Sequence, residues 1–105
     1  MQEHDRRVLE EFAAKVRLQF PEAQIWAFGS RVRDGATWES DLDVCVVLEN
    51  LDSDIRETIS GIAWEVGFER DLLISTVVFP REMFEHGRCS VSGLVQTIRE
   101  EGIPA

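Results

Sequence analysis

The 105-residue chain carries 11 basic and 20 acidic residues, a formal charge of −9. A length of this order fits one domain, residues 1–105, with one core and no room for a second, and 44% apolar with 30% charged residues is a globular composition, not a disordered one. So negative a surface repels phosphate backbones, which argues against nucleic acid as a constitutive ligand and leaves a basic partner, or a site that meets phosphates through divalent cations.

Other classes fall away quickly. Cys45 and Cys89 form no close-spaced metal motif, and His4 and His86 stand apart from them, so zinc is not expected. Cys45 lies in the run Val44-Cys45-Val46-Val47-Leu48 and reads as a buried small hydrophobe. Residues 1–7 are polar, and no apolar run reaches membrane-spanning length, so a cytoplasmic setting without a membrane is the expectation.

In chain order, Val8, Phe12 and Val16 repeat at helical spacing and predict a helix over about Gln2 to Gln19, stopped by Pro21. Ala23 to Phe28 reads as a strand covered on both faces, ended abruptly by Gly29-Ser30. The β-branched run Leu42 to Leu48 predicts a second strand. Asp52-Ser53-Asp54 opens a helix with Ile55, Ile59, Ile62 and Val66 on one side and Gly67 near its end; Trp64 falls opposite that stripe, with Phe68 near it. A third strand is expected from Asp71 to Phe79, a short helix after Pro80, and a last helix holding Val91, Leu94, Val95 and Ile98 before Gly102. The order α-β-β-α-β-α-α makes this an α/β (α+β) chain, a small mixed sheet flanked by helices.

Chemistry concentrates between Phe28 and Asp43. Gly29 follows a strand and allows a tight turn and close ligand approach; a helical turn starting at Ser30 would aim N–H groups and a hydroxyl at a phosphate. A lone Gly-Ser is weak, since most such pairs are ordinary turns or caps. Asp41 and Asp43 are two apart, so on a strand their side chains share a face with Cα atoms roughly 6–7 Å apart. Two such carboxylates suit hard divalent cations, and Mg²⁺ combines few carboxylates with substrate phosphate oxygens. Two plainer readings stand beside this: Ser40-x-x-Asp43 as a helix capping box, which the β-branched run that follows opposes, and a solvated strand edge.

Taken together, Gly29-Ser30, ten intervening residues and Asp41-x-Asp43 resemble the active-site motif of the DNA polymerase β-like nucleotidyltransferase superfamily, with its short prokaryotic members, the minimal nucleotidyltransferases, as the nearest likeness. The likeness runs in element order from Trp26 to about Phe79. Arg31 and Arg33 fall where the family carries basic residues, while Asp34 replaces an expected glycine. The resemblance implies a polymerase β-like fold and Mg²⁺-dependent transfer of a nucleoside monophosphate, often AMP from ATP, to an acceptor hydroxyl. It places Gly29, Ser30, Arg31 and Ser40 at the nucleotide and Asp41 and Asp43 on the metal. A third carboxylate is expected on the neighbouring strand; Asp71, the first residue of that expected strand and the only acid on its face, is the candidate. Many minimal members pair with a small helical HEPN-type toxin, which they silence as antitoxins by placing AMP on one of its tyrosines. The alternative is a non-catalytic module that keeps the fold and neutralises its partner by contact.

Overall fold

The structure, a computed structural model, describes residues 1–33, 37, 39–87 and 92–105. Asp34, Gly35, Cys89 and Val91 lie outside the described residues. The elements run α1 (Glu3–Gln19), β1 (Gln24–Phe28), β2 (Leu42–Leu48), α2 (Ser53–Arg70), β3 (Ile74–Pro80), α3 (Arg81–Glu85), α4 (Gly93–Glu101) and β4 (Ile103–Pro104).

The four strands form one mixed sheet in the order β3-β2-β1-β4. β1 is antiparallel to β2, while β2 and β3 run parallel, with Leu42 beside Ile74 and Asp43 beside Ser75. A parallel neighbour requires a crossover, and α2 supplies it. Both of these strands therefore begin at the same edge of the molecule.

Alternation along the strands divides the interior in two. Ile25, Ala27, Leu42, Val44, Val46 and Ile74 face α1 and α2, meeting Leu9, Phe12, Val16, Ile59 and Val66. Cys45, Val47 and Phe28 face the other way and pack with Phe84, Val95 and Ile98 of α3 and α4, where Trp26 stacks on Phe84 with ring centroids 5.5 Å apart. β2 thus has helices on both sides, which explains its nearly continuous apolar sequence. Truncating a core side chain such as Phe12 or Leu42 to Ala would cost about 2–5 kcal/mol.

Local chemistry sets the ends of α2. The Asp52 carboxylate accepts a hydrogen bond from the Ile55 N–H at 2.8 Å, capping the first turn. The helix passes Gly67 and ends at Asp71, whose φ of 55° is left-handed. The Asp71 and Leu72 N–H groups both donate to the Gly67 carbonyl, and a Cβ on Gly67 would collide with the Leu72 carbonyl. That glycine lets the chain fold back tightly.

The sequence expectation needs two corrections. β3 starts at Ile74, three residues after Asp71, because α2 continues to Arg70 and the residues between form its cap. The two-residue β4, which pairs with β1 at Trp26 and Ala27, is an addition.

Candidate active site

The site stands where β1 ends and β2 begins. Gly29 leaves β1 with φ 82°, a conformation that strains any L side chain, and a Cβ there would overlap the Asp43 carboxylate. Its carbonyl accepts from the Val32 and Arg33 N–H groups at 3.1 and 3.2 Å, so residues 29–33 close a single helical-type turn beginning at Ser30. The Gly-Ser signature and Asp43 are therefore in direct apposition.

Asp41 immediately precedes β2, and Asp43 lies within it beside Phe28 of β1 and Ser75 of β3. Asp43 shares its face with Cys45 and Val47, the side covered further along by α3 and α4. Burial pushes the Asp43 carboxyl above its ordinary aspartate value; the negative charge of Asp41 raises it further, and Arg33 partly opposes both. Arg33 itself reaches Glu101 at the end of α4 at 3.6 Å. Two nearby acids with their charge incompletely matched are a chemically sound seat for a divalent cation.

Arg31 and Ser40 also bond to each other's surroundings within the protein. Arg31 donates from Nε to the Ser40 carbonyl at 2.6 Å and from Nη1 to both carboxylate oxygens of Asp5 at 3.1 Å. The Ser40 hydroxyl accepts from the Thr37 N–H at 3.1 Å. These two residues thus tie Thr37 and Ser40, just ahead of Asp41, to α1 through Asp5. Asp5 is the clamp's inner end, only 3% exposed, and sequence reasoning missed it. A signal was present: Asp5 sits three residues before Val8 and seven before Phe12, an acid on the apolar stripe of α1.

Asp71 does not join the pair. It caps α2, exposed, outside β3, and among the described residues no three of His, Cys, Asp and Glu come together as a metal-binding group. The β3 residue beside Asp43 is Ser75. The capping-box reading of Ser40 to Asp43 also falls, since those residues lead into a strand. Cys45 is fully buried and its thiol is pushed up to about 12 by desolvation, matching its reading as a small hydrophobe. Among the described residues no helix is long and apolar enough to cross a membrane.

A Gly-Ser turn closed onto Asp43 at the start of an inner strand is an arrangement suited to a nucleotide's phosphates. The nucleotidyltransferase domain family matches residues 6–103. The chain belongs to that family. Among curated proteins no sequence match is found. Among solved structures, this nucleotidyltransferase chain is similar to a complex of tri-AMPylated Shewanella oneidensis HEPN toxin with MNT antitoxin, at 18% identity and TM-score 0.58 over 95% of this chain and 70% of the other. It is likewise similar to a toxin–antitoxin structure with AMP-PNP, at 21% identity and TM-score 0.60 over 90% and 70% of the two chains. Identities this low establish a shared fold, and the sheet and flanking helices described above are that fold.

Proposed function

We propose that this nucleotidyltransferase transfers AMP from ATP to a hydroxyl of a small helical HEPN-type partner in the cytoplasm and acts as that protein's antitoxin. The observation that carries the reading is the seating of Asp43 against Gly29, with Asp41 beside it, on a fold shared with chains from toxin–antitoxin complexes, one AMPylated and one holding an ATP analogue.

Asp41 and Asp43 would hold Mg²⁺, and the bound cation would neutralise phosphate charge and polarise the phosphorus under attack. Gly29, lacking a side chain, gives the triphosphate access to the backbone of the turn, and Ser30 offers a hydroxyl and an N–H at its start. The Asp5–Arg31 pair keeps Ser40, and with it Asp41, in place. Asp71 is not assigned to the metal: it lies outside β3 and forms no acidic group with the other two.

One observation favours the second reading, a module that neutralises its partner by contact alone. β3 offers Ser75, not an acid, beside Asp43, so a third carboxylate is missing from the place a strand neighbour would supply it. One experiment separates the two. The chain, the purified protein encoded beside its gene, Mg²⁺ and ATP labelled on the α-phosphate are incubated together. Label on the neighbour supports transfer; tight binding without label supports the contact module; neither binding nor label removes both.

A further inference from the structure

The two carboxylates of the candidate site are held in different ways. Asp43 lies inside β2, beside Phe28 of β1 on one side and Ser75 of β3 on the other, so the sheet fixes it. Asp41 precedes the strand and lies outside both registers. Its backbone is held instead through the peptide units on either side of it. The N–H of Leu42, which follows it, donates to the Leu73 carbonyl at 2.9 Å. The carbonyl of Ser40, which precedes it, accepts from Arg31 Nε at 2.6 Å.

A peptide unit is planar, so an anchor on the Ser40 oxygen also fixes the nitrogen and Cα of Asp41. That anchor leads back to α1. Arg31 Nη1 donates to both carboxylate oxygens of Asp5 at 3.1 Å, and Nη2 reaches the Thr37 carbonyl at 3.4 Å. A planar guanidinium suits such a bridge, because its nitrogens point in fixed directions. Asp5 is 3% exposed, on the side of α1 that carries Val8 and Phe12, and is out of reach of a substrate. A buried ion pair gains little stability over apolar packing; what this one supplies is a fixed geometry. Arg31 belongs to the turn that starts at Ser30, so one side chain sets that turn against the peptide unit carrying Asp41.

We infer that Asp5 is a positioning residue for the metal: through Arg31 and the Ser40 carbonyl, α1 sets where Asp41 stands relative to Asp43. This role rests on the assignment of Asp41 and Asp43 to the metal made above, and gives that pair the device that sets its spacing. Asp43 keeps its place in the sheet without the relay, whereas Asp41 would be left anchored on one side only. Loss of the relay therefore acts on metal binding through Asp41 alone.

The test is a double-mutant cycle on the whole chain, read in its affinity for Mn²⁺–AMP-PNP by calorimetry. Asp5→Asn and Arg31→Lys are each made in wild type and in Asp41→Asn. Lysine keeps a cation for Asp5 and loses the fork that spans Asp5 and Ser40. Val16→Ala, at a fully buried position near the other end of α1, supplies a destabilised variant with the relay intact. Each relay variant is expected to stay folded by circular dichroism and to bind about 10-fold more weakly or worse. In the Asp41→Asn background neither weakens binding further. The Val16→Ala chain melts lower and binds as wild type does. Unaltered affinity in both relay variants overturns the inference. So does a further loss in the Asp41→Asn background, the mark of a phosphate contact by Arg31 or of a general softening, and so does an equal loss in Val16→Ala. All three results leave the metal assignment standing. If Asp5→Asn does not fold, Arg31→Lys decides by the same readings. A wild-type chain that binds Mn²⁺–AMP-PNP no more tightly than Asp41→Asn removes the metal assignment, and this role for Asp5 falls with it.

Discussion

β2 and β3 are parallel neighbours in register, and their first residues make an instructive pair. The chain enters β2 through Asp41-Leu42-Asp43 and enters β3 through Leu73-Ile74-Ser75, with Leu42 beside Ile74 and Asp43 beside Ser75. The alternate residues Leu42 and Ile74 go to the same core, so the two strands are alike where packing decides. They differ where ligand binding would decide: one presents two carboxylates, the other a leucine and a serine. The two carboxylates thus come from the start of one strand, and its parallel neighbour sets a serine, Ser75, beside Asp43.

That contrast predicts its largest effect at β2. Asp41→Asn or Asp43→Asn should abolish label transfer from ATP while circular dichroism stays that of the folded chain, because neither side chain belongs to the core. Full transfer by either variant would remove the metal assignment.

The loop before β2 is held by a buried ion pair, and the cap before β3 is not. Asp5→Ala removes the carboxylate of a buried ion pair, Arg31 being only 12% exposed in its side chain, and should cost more than the roughly 1 kcal/mol of an exposed pair. Chemical denaturation measures this. A loss like that of an exposed pair, below about 1 kcal/mol, would show that the clamp does not organise the loop.

A smaller effect follows from the raised Asp43 carboxyl. A folded-state value above the unfolded one means that ionising Asp43 opposes folding. That opposition is absent when the pH is below the unfolded value, grows between the two values, and is complete above the folded one. In metal-free buffer Asp43→Asn should therefore melt a little above wild type at neutral pH, with the gap closing on acidification. A gap that widens in acid would reverse the sign of the shift.

The smallest effect belongs to the β3 side. Asn, like Asp, tolerates the left-handed conformation at position 71. Asp71→Asn should keep turnover within a few-fold of wild type and keep its melting temperature. A fall of about 10²–10⁴-fold, the usual worth of general-base assistance, would return Asp71 to the site and abolish the asymmetry between the strands.

Much of this was legible from residue order. The helical stripe of α1, the limits of β2 and the outward position of Trp64 follow from periodicity, and the family resemblance is what pointed to Gly29 and Asp43 sharing a site. What escaped depended on competition between neighbouring elements. Asp71 falls within a plausible strand pattern, yet α2 runs on to Arg70 and Asp71 becomes its cap, which periodicity alone does not decide. The Arg31–Asp5 pair escaped because its two residues are 26 apart in sequence. β4 pairs through only two residues, Ile103 and Pro104, too few to leave a pattern.

The claim that one strand holds the metal is tested most directly with Mn²⁺ in place of Mg²⁺. Crystals grown with Mn²⁺ and AMP-PNP would be measured at the manganese absorption edge. The account predicts an anomalous peak coordinated by Asp41 and Asp43, with the Asp71 carboxylate outside its coordination sphere. A metal bound by Asp71, or a nucleotide-bound metal seated away from the Asp41–Asp43 pair, would contradict it.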